Sequence, residues 1–170
     1  ALLIGSIVAL PWSRFQWRLA IVPAKTLALG IYGLFGYHFL LFLAFRTAPA
    51  VQANLVNYLW PLLIVVLAPL FHKNSRLHLR QVLAALAGLA GAGLVMTNGQ
   101  AVATDFNFGY LAALASAFIW ATYSLLTQRV QAFHTAAIGS FGLVSGLLSL
   151  ACHFALETPV ALTAQDAGLL

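Results

Sequence analysis

The stretch AVQANLVNYLWPLLIVVLAPLF, residues 50–71, holds 22 residues and no Asp, Glu, Lys or Arg. At about 1.5 Å of rise per residue it reaches about 33 Å as a helix, enough to cross the ~30 Å of hydrocarbon in a bilayer. A spanning backbone must satisfy its own N–H and C=O groups, and this run lacks the period-two polarity of a barrel strand. A transmembrane helix is the reading that remains.

Four further runs of this kind flank it, residues 26–45, 81–98, 109–128 and 135–156, with 20, 18, 20 and 22 residues and none of the four charged residue types. Each is long enough for one crossing. The apolar opening run, residues 1–11, is too short to cross and reads as the end of a sixth helix. Residues 161–170 read as the start of another. The whole chain of 170 residues is 62% hydrophobic and 6% charged, with a mean hydropathy of +0.95. A soluble surface carries roughly 25–35% charged residues, so an ordinary globular enzyme and a disordered tail are both excluded. The fold class is all-α, a polytopic transmembrane helix bundle whose first partner is the lipid bilayer.

Eight Lys or Arg against three Asp or Glu give a formal charge of +5. The cations are scattered between apolar runs instead of gathered on one face, so nucleic acid is not an expected partner. Their distribution reports orientation. Arg14, Arg18, Lys25, Lys73, Arg76, Arg80 and Arg129 fall in alternate connections, and Arg46 alone, with Asp105, Glu157 and Asp166, falls in the others. Cytoplasmic connections hold the excess of Lys and Arg, so the span beginning at Thr26 runs from inside to outside. Trp12 and Trp17, beside Arg14 and Arg18, read as interfacial anchors.

Within the spans, small residues recur at helical spacing: Gly30, Gly33 and Gly36; Ala84, Gly88 and Ala92; Gly109, Ala113, Ala117 and Ala121; Gly139, Gly142, Gly146 and Ser149. In lipid such stripes let backbones approach and pack by dispersion, which predicts a compact bundle. The first stripe has a second reading, clearance for a ligand, because it shares its span with Tyr37 and His38.

The span 50–71 departs most from an apolar rod. Asn54, Asn57, Tyr58 and Pro61 stand at i, i+3, i+4 and i+7 and so share one face. An amide in hydrocarbon costs several kcal/mol unless hydrogen-bonded, so this face is expected to look into the bundle or a watered cavity. Pro61 lacks an N–H for the Asn57 carbonyl and predicts a bend at mid-membrane. Trp60 and Trp120 lie near the centres of their spans, where tryptophan is uncommon. Either they pack with a satisfied indole N–H or they form a flat wall for a substrate ring, with Tyr123 on the same side as Trp120. His38 sits at a depth close to Asn57. It is a functional candidate as an intramembrane titratable group, or else a neutral, hydrogen-bonded imidazole.

The chain shows no P-loop, dinucleotide fingerprint, zinc helix or nucleophile elbow, and its lone Cys152 forms no intrachain disulfide. No cofactor and no metal site is expected. Ser145 and His153 lie about two turns apart on one helix, too far for a nucleophile and its base, so an enzyme is not the expected class.

The run Asn57-Tyr58-Leu59-Trp60-Pro61, preceded by Phe45-Arg46-Thr47-Ala48-Pro49-Ala50, resembles the drug/metabolite transporter superfamily in its EamA-type branch. Gly109-Tyr110-Leu111, then Phe118-Ile119-Trp120-Ala121 and Tyr123, ending in Arg129, look like the opening helix of that family's second half. The two aromatic runs together are most similar to the aromatic amino acid exporters. The resemblance implies ten helices in two inverted five-helix repeats, with a substrate cavity near mid-membrane. On it, residues 1–98 would be the first repeat from part of helix two, and 109–170 the start of the second. About six helices would be present, and the remaining ones would be partners of this bundle. Where many members carry Gly-Glu after the fourth helix, this chain reads Phe71-His72-Lys73-Asn74.

The expected function is therefore a multi-pass carrier of a bacterial-type inner membrane, exporting small amphipathic metabolites, aromatic amino acids first, by alternating access. Trp60, Trp120 and Tyr123 would stack on substrate rings. Asn57, Asn54 and Tyr58 would make polar contacts, and Tyr37 and His38 would complete the site. The alternative is a non-transporting membrane scaffold or small-multidrug-type subunit, in which the polar face serves helix contacts alone.

Overall fold

The computed structural model describes Ile4, Ser6 and residues 22–72, 76–97, 107–130 and 136–156; apart from Ile4 and Ser6, the opening run, Trp12, Trp17, Asp105, Glu157 and the closing run lie outside the described residues. All regular structure among the described residues is helical. Four helices there are long and apolar enough to cross a membrane, Ala24–Thr47, Ala50–Phe71, Phe108–Thr127 and Ala137–Leu156.

The first rod comprises α1 (Ala24–Ile31), a π-helical turn (Tyr32–Gly36) and α2 (Tyr37–Thr47). Pro23 opens it, and its carbonyl accepts from the N–H groups of Thr26 and Leu27. Pro49 closes it, because the residue before a proline avoids the helical region and Ala48 is extended at φ −136°. The second rod is broken: α3 (Ala50–Asn57) ends at a turn through Tyr58 and Leu59, and α4 (Trp60–Phe71) restarts with Pro61 at its second position. Proline is tolerated there because first-turn N–H groups have no helical partner in any case.

α5 is Leu79–Thr97, a helix of 19 residues that takes in all but the last residue of the run 81–98. Two of the three residues of its expected packing stripe, Ala84 and Gly88, have no neighbour packed on them among the described residues, and Ala92 is half-buried. A Cβ at Gly88 would meet nothing within 4 Å, and Ala84 is exposed. α5 approaches α3 through another side, where a Cβ at Gly93 would stand 3.4 Å from the Leu55 side chain.

α6 (Phe108–Thr127) is the hub, packing against α2, α3 and α4, while α7 (Ala136–Leu156) lies against α1 and the π turn. Asn107 caps α6 by accepting from the Gly109 N–H at 2.8 Å. The buried face of α6 is small over most of its length, Gly109, Ala112, Ala113, Ser116, Ala117, Ala121 and Thr122, and only Leu125 near its end is large. Such a face lets neighbouring backbones come close, as at Gly109, where a Cβ would stand 2.5 Å from that of Ala48. At the opposite end the Arg129 guanidinium donates to the Phe71 carbonyl and lies 5.2 Å from the Phe71 ring centre, tying the ends of α4 and α6 together.

Candidate functional site

The polar centre is Asn57, the last residue of α3 and only 4% exposed. Its Nδ2 donates to the Tyr37 hydroxyl at 3.1 Å, and its Oδ1 accepts from the Ser116 hydroxyl at 2.9 Å. Three rods thus meet at one amide, which satisfies the requirement that a buried amide find partners. Ser116 is fully buried and also reaches the Ala113 carbonyl at 2.7 Å.

Beside this centre the rings gather. Tyr37 and Trp120 have centroids 5.0 Å apart with planes inclined by 46°, and Trp120 and Tyr123 are 5.6 Å apart at 44°. His38 meets Tyr37 edge-on at 5.1 Å, and its Nδ1–H donates to the Leu34 carbonyl one turn back at 2.7 Å. That bond fixes the ring and leaves Nε2 as the nitrogen able to meet a ligand.

The π turn makes this convergence possible. In an α-helix residues five apart are rotated by about 140°, whereas bonding from i to i+5 sets them nearly above one another. Tyr32 and Tyr37 are five apart across that turn, and both reach neighbouring helices: the Tyr32 and Thr122 hydroxyls are 2.8 Å apart, and Tyr37 meets Asn57 and Trp120.

The glycine stripe beneath them is occupied. A Cβ at Gly33 would collide with the Tyr123 ring, and one at Gly30 would stand 2.5 Å from the Phe141 ring. Clearance there serves protein rings, which corrects the reading of the stripe as space for a ligand.

Of the residues expected at the site, the structure brings Tyr37, His38, Asn57, Trp120 and Tyr123 together. Asn54 and Trp60 are half-buried and Tyr58 is 43% exposed at the helix break, all three outside the ring cluster. Sequence reasoning missed Ser116, Tyr32 and Thr122. Ser116 was findable, since it lies one turn before Trp120 and is polar on an otherwise small, apolar stripe. A separate, mostly apolar recess of about 150 Å³ lies between the first rod, from Phe35 to Arg46, and the last turns of α7, with Phe39, Phe42, Cys152 and His153 also in its lining. It shares no residue with the ring cluster.

The profile of the EamA-like transporter family matches residues 1–97. Over 134 residues the chain is 42% identical to the aromatic amino acid exporter YddG of Ancylobacter novellus, covering 77% of this chain and 46% of that protein. Over 91 residues it is 36% identical to the aromatic amino acid exporter YddG of Salmonella typhimurium, covering 47% and 30%. A solved structure described only as a crystal structure of a protein superposes with a TM-score of 0.81 at 36% identity, over 98% of this chain and 59% of that one. The chain therefore spans less than half the length of either exporter.

Proposed function

Because the chain belongs to the EamA-like transporter family and carries several membrane-spanning helices, we propose that it is part of a carrier exporting small amphipathic metabolites, with aromatic amino acids as the leading class. The observation that carries this reading is the ring cluster of Tyr37, Trp120 and Tyr123 set against the buried amide of Asn57. Tilted rings about 5 Å apart can take an added ring by stacking, worth about 0.5–1.5 kcal/mol beyond area burial. The likeness to proteins named aromatic amino acid exporters supports the same substrate class.

In this reading Trp120 and Tyr123 stack on the substrate, and Trp60, at the start of α4, closes over it when the repeats rock. Asn54 and Tyr58 offer polar contacts beside the break, Pro61 keeps the break open, and His38 presents Nε2. The membrane is the cytoplasmic one, with the span Ala24–Thr47 running outward.

The scaffold reading is favoured by one observation, that both ends of the Asn57 amide are bonded to protein. Ligand-dependent thermal stabilisation of the full chain separates the two. Aromatic amino acids are expected to raise the unfolding midpoint more than aliphatic ones, since a ligand binding only the folded state at a hundred times its Kd adds about 2.7 kcal/mol. Equal shifts for both classes would remove the stacking role, and no shift with any solute would favour the scaffold.

A further inference from the structure

Asn57 lies between two hydroxyls, and the direction of its amide decides what Tyr37 can do. With Oδ1 accepting from Ser116 and Nδ2 donating to Tyr37, the phenolic oxygen receives a proton from the protein, and its own proton must point elsewhere. The three groups form a chain of donors running Ser116 to Asn57 to Tyr37. Hydrogen bonds in such a chain polarise one another, which makes the terminal hydroxyl a better donor.

The start of the chain is fixed by packing. Ser116 is fully buried, and its approach to the Ala113 carbonyl holds the side chain in one rotamer, with its single proton shared between that carbonyl and Asn57. The end of the chain is the Tyr37 hydroxyl, half-buried next to the Trp120 ring.

Resting on the carrier reading above, we infer that Ser116 is a positioning residue that sets the polarity of the site. Through Asn57 it makes Tyr37 donate to a hydrogen-bond acceptor, a carboxylate, carried by the bound aromatic molecule. Ser116 itself touches no ligand. The head group is thereby selected by the direction of a hydrogen-bond chain, with no charged side chain in the cluster.

The test uses the full chain in detergent and two ligands with the same ring, 3-indolepropionate, which carries only a carboxylate, and tryptamine, which carries only an ammonium group. The unaltered protein is expected to bind the acid more tightly than the amine. Ser116→Ala should bring the ratio of the two dissociation constants toward one by about tenfold, the effect of one hydrogen bond to a charged group. Tyr37→Phe should do the same, and combining the two changes should add nothing. Asn57→Asp, which accepts from both hydroxyls, should reverse the preference. A purely structural role for Ser116 would weaken both ligands together and leave the ratio unmoved.

An unchanged ratio in Ser116→Ala and Tyr37→Phe, with indole compounds still bound, overturns this inference alone. If the unaltered protein binds neither indole compound, the aromatic carrier reading falls and this inference with it.

Discussion

At the scale of single residues, burial alone does not tell what a polar group is for. Ser116 and Ser145 are both fully buried serines on successive helices, yet Ser116 is bonded to Asn57 and Ala113 while the Ser145 hydroxyl has no hydrogen-bond partner among the described residues. An unsatisfied buried hydroxyl is a cost that its removal relieves, whereas removing one partner of a buried amide exposes the other. Ser145→Ala is therefore expected to leave the protein as stable or up to about 1 kcal/mol more stable, and Asn57→Leu to destabilise it by about 1–3 kcal/mol. Thermal midpoints of the two variants in one detergent check both signs; a larger loss for Ser145→Ala than for Asn57→Leu contradicts this account of the polar centre. Asn57 was legible in the sequence because an amide in a 22-residue run without a charged side chain has few places to go. Its partners were not, because a hydrogen bond between residues 59 apart leaves no local trace.

At the scale of elements, two departures from regular helix set the site, and the sequence announced them unequally. The interruption in residues 50–71 lies at Tyr58 and Leu59, three and two residues before a proline that cannot donate to the preceding turn. The π turn at Tyr32–Gly36 has no such marker, since its two aromatics and two glycines fit an α-helix equally well. The small-residue stripes show the same limit. Spacing identifies a face on which helices can approach, and tertiary contacts decide whether anything does. Gly33 lies under the Tyr123 ring, while Gly88 faces open space. Gly33→Ala is expected to cost about 1–3 kcal/mol by overpacking. Gly88→Ala should be neutral or stabilising by up to about 1 kcal/mol, because alanine is the better helix former. Unfolding curves of the pair measure this directly, and equal losses would mean that the close approach of the first rod to α6 is wrong.

At the scale of the whole molecule, the fold class was legible from composition and run length, since so few charges admit only a membrane interior. Which helix is central was not legible, because α6 differs from α5 by what it touches more than by its hydropathy. The packing does agree with the alternation of charge in one respect. Arg129 at the end of α6 bonds the end of α4, and Gly109 at the start of α6 meets Ala48, so connections of like charge character share an end of the bundle. Cysteines introduced at Arg76 and at Arg46, with Cys152 replaced, should therefore react with an impermeant thiol reagent from opposite faces of the membrane, Arg46 from outside. Labelling of both from one face would break the topology. If the ring cluster borders a space a substrate enters, substituted-cysteine accessibility at Trp120 and Tyr123, with and without L-tryptophan, reads it out. Both positions are expected to react with a small water-soluble thiol reagent, with L-tryptophan protecting them and L-leucine not; positions sealed from the reagent in every condition would mean that no substrate space lies beside the rings.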